Sequence, residues 1–306
     1  MTWKALPYIL LLGFFYGSTL IASRFTVGLM NANLYVGVRL AIAATLFLLL
    51  YLISSKRRFP TSRDLIYPAI LLGVFGTAIP MTTIVNGVRF VSSGIASIIF
   101  TTGPAFTALF AFFLLPEERL SVRKWFGIAL ALGGTTLLFS MGETGLGSGS
   151  AGADSFKGYS LLTTATIMST LTMVLARKYM KDLDPVDVST IRLITAAIIV
   201  LPLSIFIFGW DVSAVPPIGV GAIIWATLFG TFGAFLLNFY NLTQFGATAT
   251  SLVSFFVPIF GTLGGALILG ERITAGMIIG MVIILGGIAL LRESAPQAEA
   301  VATPAD

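Results

Sequence analysis

Residues 75–106, FGTAIPMTTIVNGVRFVSSGIASIIFTTGPAF, and residues 229–260, FGTFGAFLLNFYNLTQFGATATSLVSFFVPIF, align without a gap at an offset of 154. Phe75-Gly76-Thr77 falls on Phe229-Gly230-Thr231, Ser97 on Ser251, Pro104 on Pro258 and Phe106 on Phe260. Toward the N-terminus the match continues at an offset of 153, pairing Thr19 with Thr172, Arg24 with Arg177, Arg39-Leu40 with Arg192-Leu193 and Ala43-Ala44 with Ala196-Ala197. Toward the C-terminus the offset is again 153, with Glu118-Arg119 on Glu271-Arg272, Gly127 on Gly280, Gly133-Gly134 on Gly286-Gly287 and Leu137-Leu138 on Leu290-Leu291. Leucines and alanines coincide by chance in apolar segments, but paired arginines, prolines and a Glu-Arg dipeptide in one register do not. The two halves are related.

The repeated unit is apolar throughout. Hydrophobic residues make up 57% of the 306 and charged residues 10%, where a soluble chain of this length carries roughly 75 charges. A membrane-spanning helix needs about 20 apolar residues. Charges and turn formers cut the chain into ten such stretches, at about 8–25, 34–53, 66–88, 93–115, 122–140, 158–177, 186–208, 217–240, 246–269 and 273–291. The expected fold is an all-α integral membrane protein of ten transmembrane helices in two inverted five-helix repeats, since five is odd and the second copy enters from the opposite side. Residues 1–140 form the first repeat and 157–292 the second; 141–156, rich in Gly and Ser, read as a flexible linker and 293–306 as a disordered tail.

There is no Cys and no His, which removes thiol nucleophiles, imidazole bases and the usual zinc and haem ligands. An enzyme is not expected, nor a cofactor, a metal site or a nucleic-acid partner. From an inside N-terminus, twelve basic residues fall on the inner side (Lys4, Lys56, Arg57, Arg58, Arg63, Arg119, Arg123, Lys124, Arg177, Lys178, Lys181, Arg292) and four on the outer (Arg24, Arg89, Lys157, Arg272). The positive-inside rule then puts both termini in the cytoplasm of a bacterial-type inner membrane.

The segments Phe90–Leu138 and Phe245–Leu291 share small residues, a mid-helix proline, and an acidic-basic turn followed by a glycine-rich helix. The second reads Leu269-Gly270-Glu271-Arg272, and the first departs from it with Leu115-Pro116-Glu117-Glu118-Arg119. They resemble the two copies of the EamA domain, a family of the drug/metabolite transporter superfamily. In size and layout the chain resembles the YddG-type amino acid exporters. The resemblance implies a transporter of small polar metabolites, with amino acid export by alternating access as the leading reading. Carriers of phosphorylated sugars or nucleotide-sugars, and a channel or non-transporting scaffold, are the alternatives.

Pro104 and Pro258 each remove a helical hydrogen bond, freeing the carbonyls of Phe100 and Ser254, and are read either as hinges or as static kinks. Arg39 and Arg192 lie one to two turns inside their helices, where an arginine must snorkel, pair, or meet an anionic substrate group as a gate. Glu118, Arg119, Glu271 and Arg272 sit at turns on opposite faces, as latching ion pairs or as solvated loop charges. All thirteen carboxylates are placed in loops or tails, which disfavours proton antiport and favours facilitative movement. Uncharged polar residues near mid-helix then form the expected substrate surface: Tyr16, Ser18, Thr82, Asn86, Ser97, Thr101, Ser169, Thr172, Asn238, Ser251 and Ser254. They suit a zwitterion such as an amino acid, although serine and threonine also bond their own helices. Gly13 with Gly17, Gly261 with Gly265 and Gly276 with Gly280 have close-packing spacing, which packing within one bundle explains; the expected partners are a small-molecule substrate and the lipid bilayer, around a monomer.

Overall fold

The computed structural model describes residues 4–53, 57–146, 153–180, 183–213 and 215–291. They form thirteen α-helices: α1 (Leu6–Thr26), α2 (Ala32–Ile53), α3 (Arg63–Gly73), α4 (Ile79–Gly87), α5 (Ser93–Phe100), α6 (Gly103–Leu114), α7 (Val122–Met141), α8 (Ala153–Met180), α9 (Pro185–Phe208), α10 (Pro217–Thr227), α11 (Ala234–Thr250), α12 (Val253–Leu269) and α13 (Ala275–Leu291). Five-residue and six-residue π-helical turns, Val74–Ala78 and Leu228–Gly233, join α3 to α4 and α10 to α11. Taken with these joins, and with α5 and α6 as one span across Thr101–Thr102, eight helical segments are long and apolar enough to cross a membrane, and α12 and α13 are shorter apolar helices of 17 residues. At 1.5 Å per residue, 17 residues span about 26 Å, close to the hydrocarbon thickness. The outer surface is itself apolar, with Phe113, Ile198, Phe206 and Leu267 exposed.

The boundaries differ from the sequence reading in three places. The eighth segment does not end near 240 but continues to Gly246, where φ of 77° breaks the helical path, and α12 begins only at Val253. That dihedral is open to glycine at little cost. The C-terminal end of the expected linker is helical, because α8 starts at Ala153, and Glu143 to Leu146 form an ordered turn. Residues 147–152 of that linker and the tail 293–306 lie outside the described residues. The break at Thr101–Thr102 falls just ahead of Pro104, which therefore occupies the first turn of α6, whereas Pro258 lies inside an unbroken α12. The two prolines are thus in unlike local settings.

Close helix packing comes from glycines facing backbone. A Cβ on Gly17 of α1 would lie 2.8 Å from Phe260 Cβ and 2.9 Å from the Gly261 amide of α12. One on Gly287 of α13 would lie 2.6 Å from the Ala131 amide of α7. Contacts run in order along both helices for α1 with α12 (Gly13 to Phe256, Gly17 to Phe260, Gly264 to Ile21), so these two are parallel. They run in opposite order for α7 with α13, α2 with α9, α5 with α12, and α4 with α8. Gly17→Leu is expected to force α1 from α12 and cost about 1–3 kcal/mol, read as a fall in the detergent melting temperature and in folded yield.

Polar capping fixes one turn between helices. Asp184 accepts from the amides of Val186 (2.8 Å) and Asp187 (3.2 Å) at the start of α9, and Arg57 lies 3.3 Å from it and 3.5 Å from Asp187. Burial alone would raise the Asp184 carboxyl, but the two amides and Arg57 outweigh it and hold it below its ordinary value of 3.8. A depressed carboxylate stabilises the fold at neutral pH and loses that contribution as the pH falls below about 4. Asp184→Ala should cost about 1 kcal/mol, and Asp184→Asn should flatten the acid limb of a melting-temperature profile.

Candidate functional site

The matched positions of the two halves assemble into two equivalent clusters, each built across the halves. In one, Arg39 of α2 donates from Nε to Thr231 Oγ1 (2.8 Å), from Nη2 to the Gly230 carbonyl (3.4 Å) and from Nη1 to Ser23 Oγ (3.4 Å). Ser23 Oγ is in turn 3.0 Å from the Tyr35 hydroxyl. In the other, Arg192 of α9 donates from Nε to Thr77 Oγ1 and from Nη2 to the Gly76 carbonyl. Each arginine therefore grips the Phe-Gly-Thr of the opposite half, at the π-helical turn that contains it.

The physical reason lies in the turn. A π-helical turn displaces carbonyls from the ordinary i to i−4 ladder, and in a membrane interior those oxygens need other donors. A guanidinium supplies several from one side chain. The glycine is required because the arginine and a neighbouring threonine approach its Cα: a Cβ on Gly76 would lie 2.8 Å from Thr172 Oγ1 and 3.5 Å from Arg192 Nη2. At Gly230 the threonine is Thr19, the repeat partner of Thr172. Both threonines donate to their own helices, Thr19 to the Phe15 carbonyl and Thr172 to that of Met168.

Arg192 is half-buried and has aromatic neighbours as well. Its guanidinium carbon is 5.6 Å from the Phe235 ring, and it interacts electrostatically with Tyr16. Tyr16 in turn has its ring 6.4 Å from that of Phe100. These four residues come from α9, α11, α1 and α5, hence from both halves, and each keeps part of its surface open. On another face of α1, Trp225 donates from Nε1 to Ser18 Oγ (3.1 Å), and its ring lies 4.4 Å from that of Phe229, tilted by 42°. Among the described residues no carboxylate is within 4.0 Å of either arginine.

Of the polar residues expected to form the substrate surface, Tyr16 lies beside Arg192, Ser18 is on another face of α1 against Trp225, and Thr172 belongs to the Arg192 cluster. Ser97 and Thr101 are buried and donate back to Gly94 and Ser97 carbonyls (2.6 and 2.7 Å), with Ser97 packed against Gly261. Asn86 donates to Asn33 Oδ1 (2.7 Å) and to the Thr82 carbonyl (2.8 Å), which ties α4 to α2. Thr82, Ser169, Asn238, Ser251 and Ser254 are half-buried on their helices. Phe100 and Phe235 were not singled out by sequence; their place beside Arg192 depends on helix rotation that composition does not encode.

The acidic-basic turns do not pair internally. Glu271 accepts from the Ser93 amide (2.9 and 3.0 Å to its two oxygens) and from Ser93 Oγ (2.6 Å), docking the α12–α13 turn on the start of α5. The same end is tied by the Arg272 amide to the Gly145 carbonyl (2.9 Å), the Ser92 amide to the Thr144 carbonyl (2.7 Å), and Thr274 to Glu143. At the opposite end Glu118 accepts from Arg177 (2.7 Å) instead, and the side chains of Arg119 and Arg272 are exposed. An apolar cleft of 380 Å³ between α3 and α8 runs from Pro68 and Tyr179 to Phe75 and to Thr172, which borders the Arg192 cluster.

Known proteins agree with this architecture. A profile of the EamA-like transporter family matches residues 3–140 and 156–292, one copy per half. An uncharacterized transporter of Archaeoglobus fulgidus is 24% identical over 90% of this chain and 93% of its own length. The uncharacterized transporter YyaM of Bacillus subtilis is 26% identical over 92% of each. The WAT1-related protein At3g02690, chloroplastic, of Arabidopsis thaliana is 23% identical over 91% of this chain and 67% of its own. A solved structure superposes with a TM-score of 0.64 over 92% of this chain and 94% of its own at 19% identity, a likeness of fold. The ten apolar helical segments, the duplicated arginine clusters and the two-copy match place this chain in the EamA-like transporter family, as a multi-pass membrane transporter.

Proposed function

We propose that the protein moves amino acids across the inner membrane by alternating access, as a facilitative exporter with both termini in the cytoplasm. The observation that carries this reading is the cross-half pairing: each arginine holds the opposite half at equivalent positions. Two halves joined by matched contacts can exchange roles, as inverted repeats do around a central site. The helix directions support inversion, because α1 lies parallel to α12 while α2 with α9 and α7 with α13 run antiparallel, as an axis in the membrane plane requires. The Glu271–Ser93 bonds support a closed state of that end in this conformation, and the excess of basic residues at the other end supports its lying on the outer face.

A facilitative mechanism follows from the carboxylates. Every described Asp and Glu lies in a turn or within the first turn of a helix, so none is placed to carry a proton through the middle. The test is uptake of labelled amino acids into proteoliposomes against protein-free vesicles. Saturable uptake that an imposed pH gradient leaves unchanged supports the proposal. Saturable uptake of phosphorylated sugars with none of amino acids would replace it with the sugar-carrier reading.

A further inference from the structure

The two arginines are repeat partners, yet their guanidiniums are not equally supplied with acceptors. Arg39 is 5% exposed and uses Nε, Nη1 and Nη2 on Thr231, Ser23 and Gly230. Around Arg192 the position equivalent to Ser23 is Ala176, and the one equivalent to Tyr35 is Val188. Neither side chain accepts a hydrogen bond. Arg192 uses Nε and one bond from Nη2, and its Nη1 has no acceptor among the described residues. Nη1 and the second N–H of Nη2 are therefore without an acceptor among the described residues, on a side chain that is partly open and sits beside Tyr16 and the Phe235 ring.

An uncompensated cation in the membrane interior is costly and is retained where something neutralises it. At Ala176 and Val188 the departure from symmetry removes the groups that hold the corresponding end of Arg39. We propose that Arg192 is the anion-binding residue of the transport site and takes the carboxylate of the solute on its free end, while Arg39 is a structural clasp. The geometry suits a carboxylate, because a guanidinium presents paired N–H groups that match two oxygens. Charge favours it over a phosphate ester: among the described residues of the two clusters Arg192 is the arginine with an unengaged Nη, which balances a charge of −1, whereas Arg39 engages all three of its nitrogens. Tyr16 offers a further hydroxyl donor, the Phe235 ring lies 5.6 Å from the guanidinium carbon, and Phe100 packs on Tyr16. This inference rests on the transporter reading and adds to it the group recognised and the residue that recognises it.

The test uses the full chain in proteoliposomes, with each amino acid that wild type takes up and its carboxamide as competitor. The amide should fail to compete. Arg192→Gln should raise KM about tenfold or more, the loss expected for a hydrogen bond to a charged group. Arg192→Lys, which keeps the charge without the fork, should fall between. Lys157→Gln removes an exposed cation outside both clusters and should leave KM within about threefold. Equal competition by the amide, or an unchanged KM in Arg192→Gln, would overturn the assignment while amino acid transport itself stood. If wild type takes up no amino acid, stabilisation of the purified protein by acetate and propionate, lost in Arg192→Gln, reads the site alone, and its absence overturns the proposal. Uptake of phosphate esters that depends on Arg192 would also overturn it.

Discussion

Arg39→Met should lower the stability of the folded protein by about 2–4 kcal/mol, the largest loss expected from any one side chain outside the glycine contacts. The substitution keeps the length of the side chain and removes its donors. Thr231 can turn its hydroxyl to the Ala226 carbonyl, which it already approaches at 3.4 Å. The Gly230 carbonyl loses the guanidinium donor it has at 3.4 Å. Ser23 keeps Tyr35 as a partner. The cost therefore concentrates on one buried carbonyl and on the contact between the halves. Arg192→Met should cost less, because Arg192 makes two such bonds and is partly open. Detergent melting curves of the two variants, measured side by side, check both the size and the order.

The second large effect is expected at Glu271. Its carboxylate makes three hydrogen bonds to Ser93, one of them at 2.6 Å, and closes one end of the bundle. Bonds to a charged group contribute roughly 1.5–3 kcal/mol each, so Glu271→Ala should shift the equilibrium between closed and open forms of that end at least about tenfold. The protein has no native cysteine, so a single introduced thiol reports without background. Ser97→Cys is suitable, because Ser97 is fully buried one turn beyond Ser93 and packs on Gly261. Maleimide labelling of that thiol should be slow in the otherwise native chain and about tenfold faster with Glu271→Ala. Equal rates would mean that the Glu271 contact does not govern access. Glu118→Ala, at the other end, should leave the rate unchanged, since Glu118 pairs with the largely exposed Arg177.

Much of the fold was legible because a membrane allows few solutions. Apolar runs, turn residues and the 153- to 154-residue offset fix the number and relation of the helical segments. The matches Thr19 with Thr172, Arg39 with Arg192 and Phe75-Gly76-Thr77 with Phe229-Gly230-Thr231 were visible as well, but as separate coincidences along the chain. That they form one cluster in each half-to-half contact depends on helix rotation and on the π-helical turns, and no periodicity in the sequence signals a π turn. Glu118 and Glu271 read as equivalent for the same reason. Their different partners arise because Ser93 offers both a hydroxyl and a helix-start amide, and the equivalent residue in the second half is Ala247. The extension of the eighth helical segment to Gly246 was hidden by Asn241, Thr243 and Gln244. These polar residues resemble a loop, yet Asn241 is buried and donates to the Tyr8 carbonyl at 3.3 Å. Ser97 and Thr101 show the limit of reading polar residues as a site, since both satisfy their hydroxyls on their own helix.

The central claim is that two arginine-clasped halves expose one site alternately to the two sides of the membrane. Counterflow tests it most directly: vesicles containing the protein are preloaded with an unlabelled amino acid and diluted into a trace of the labelled one. The account predicts uptake that rises above equilibrium, saturates with external concentration and is stimulated by internal substrate. Uptake proportional to concentration and indifferent to preloading would show an open pore and contradict alternating access.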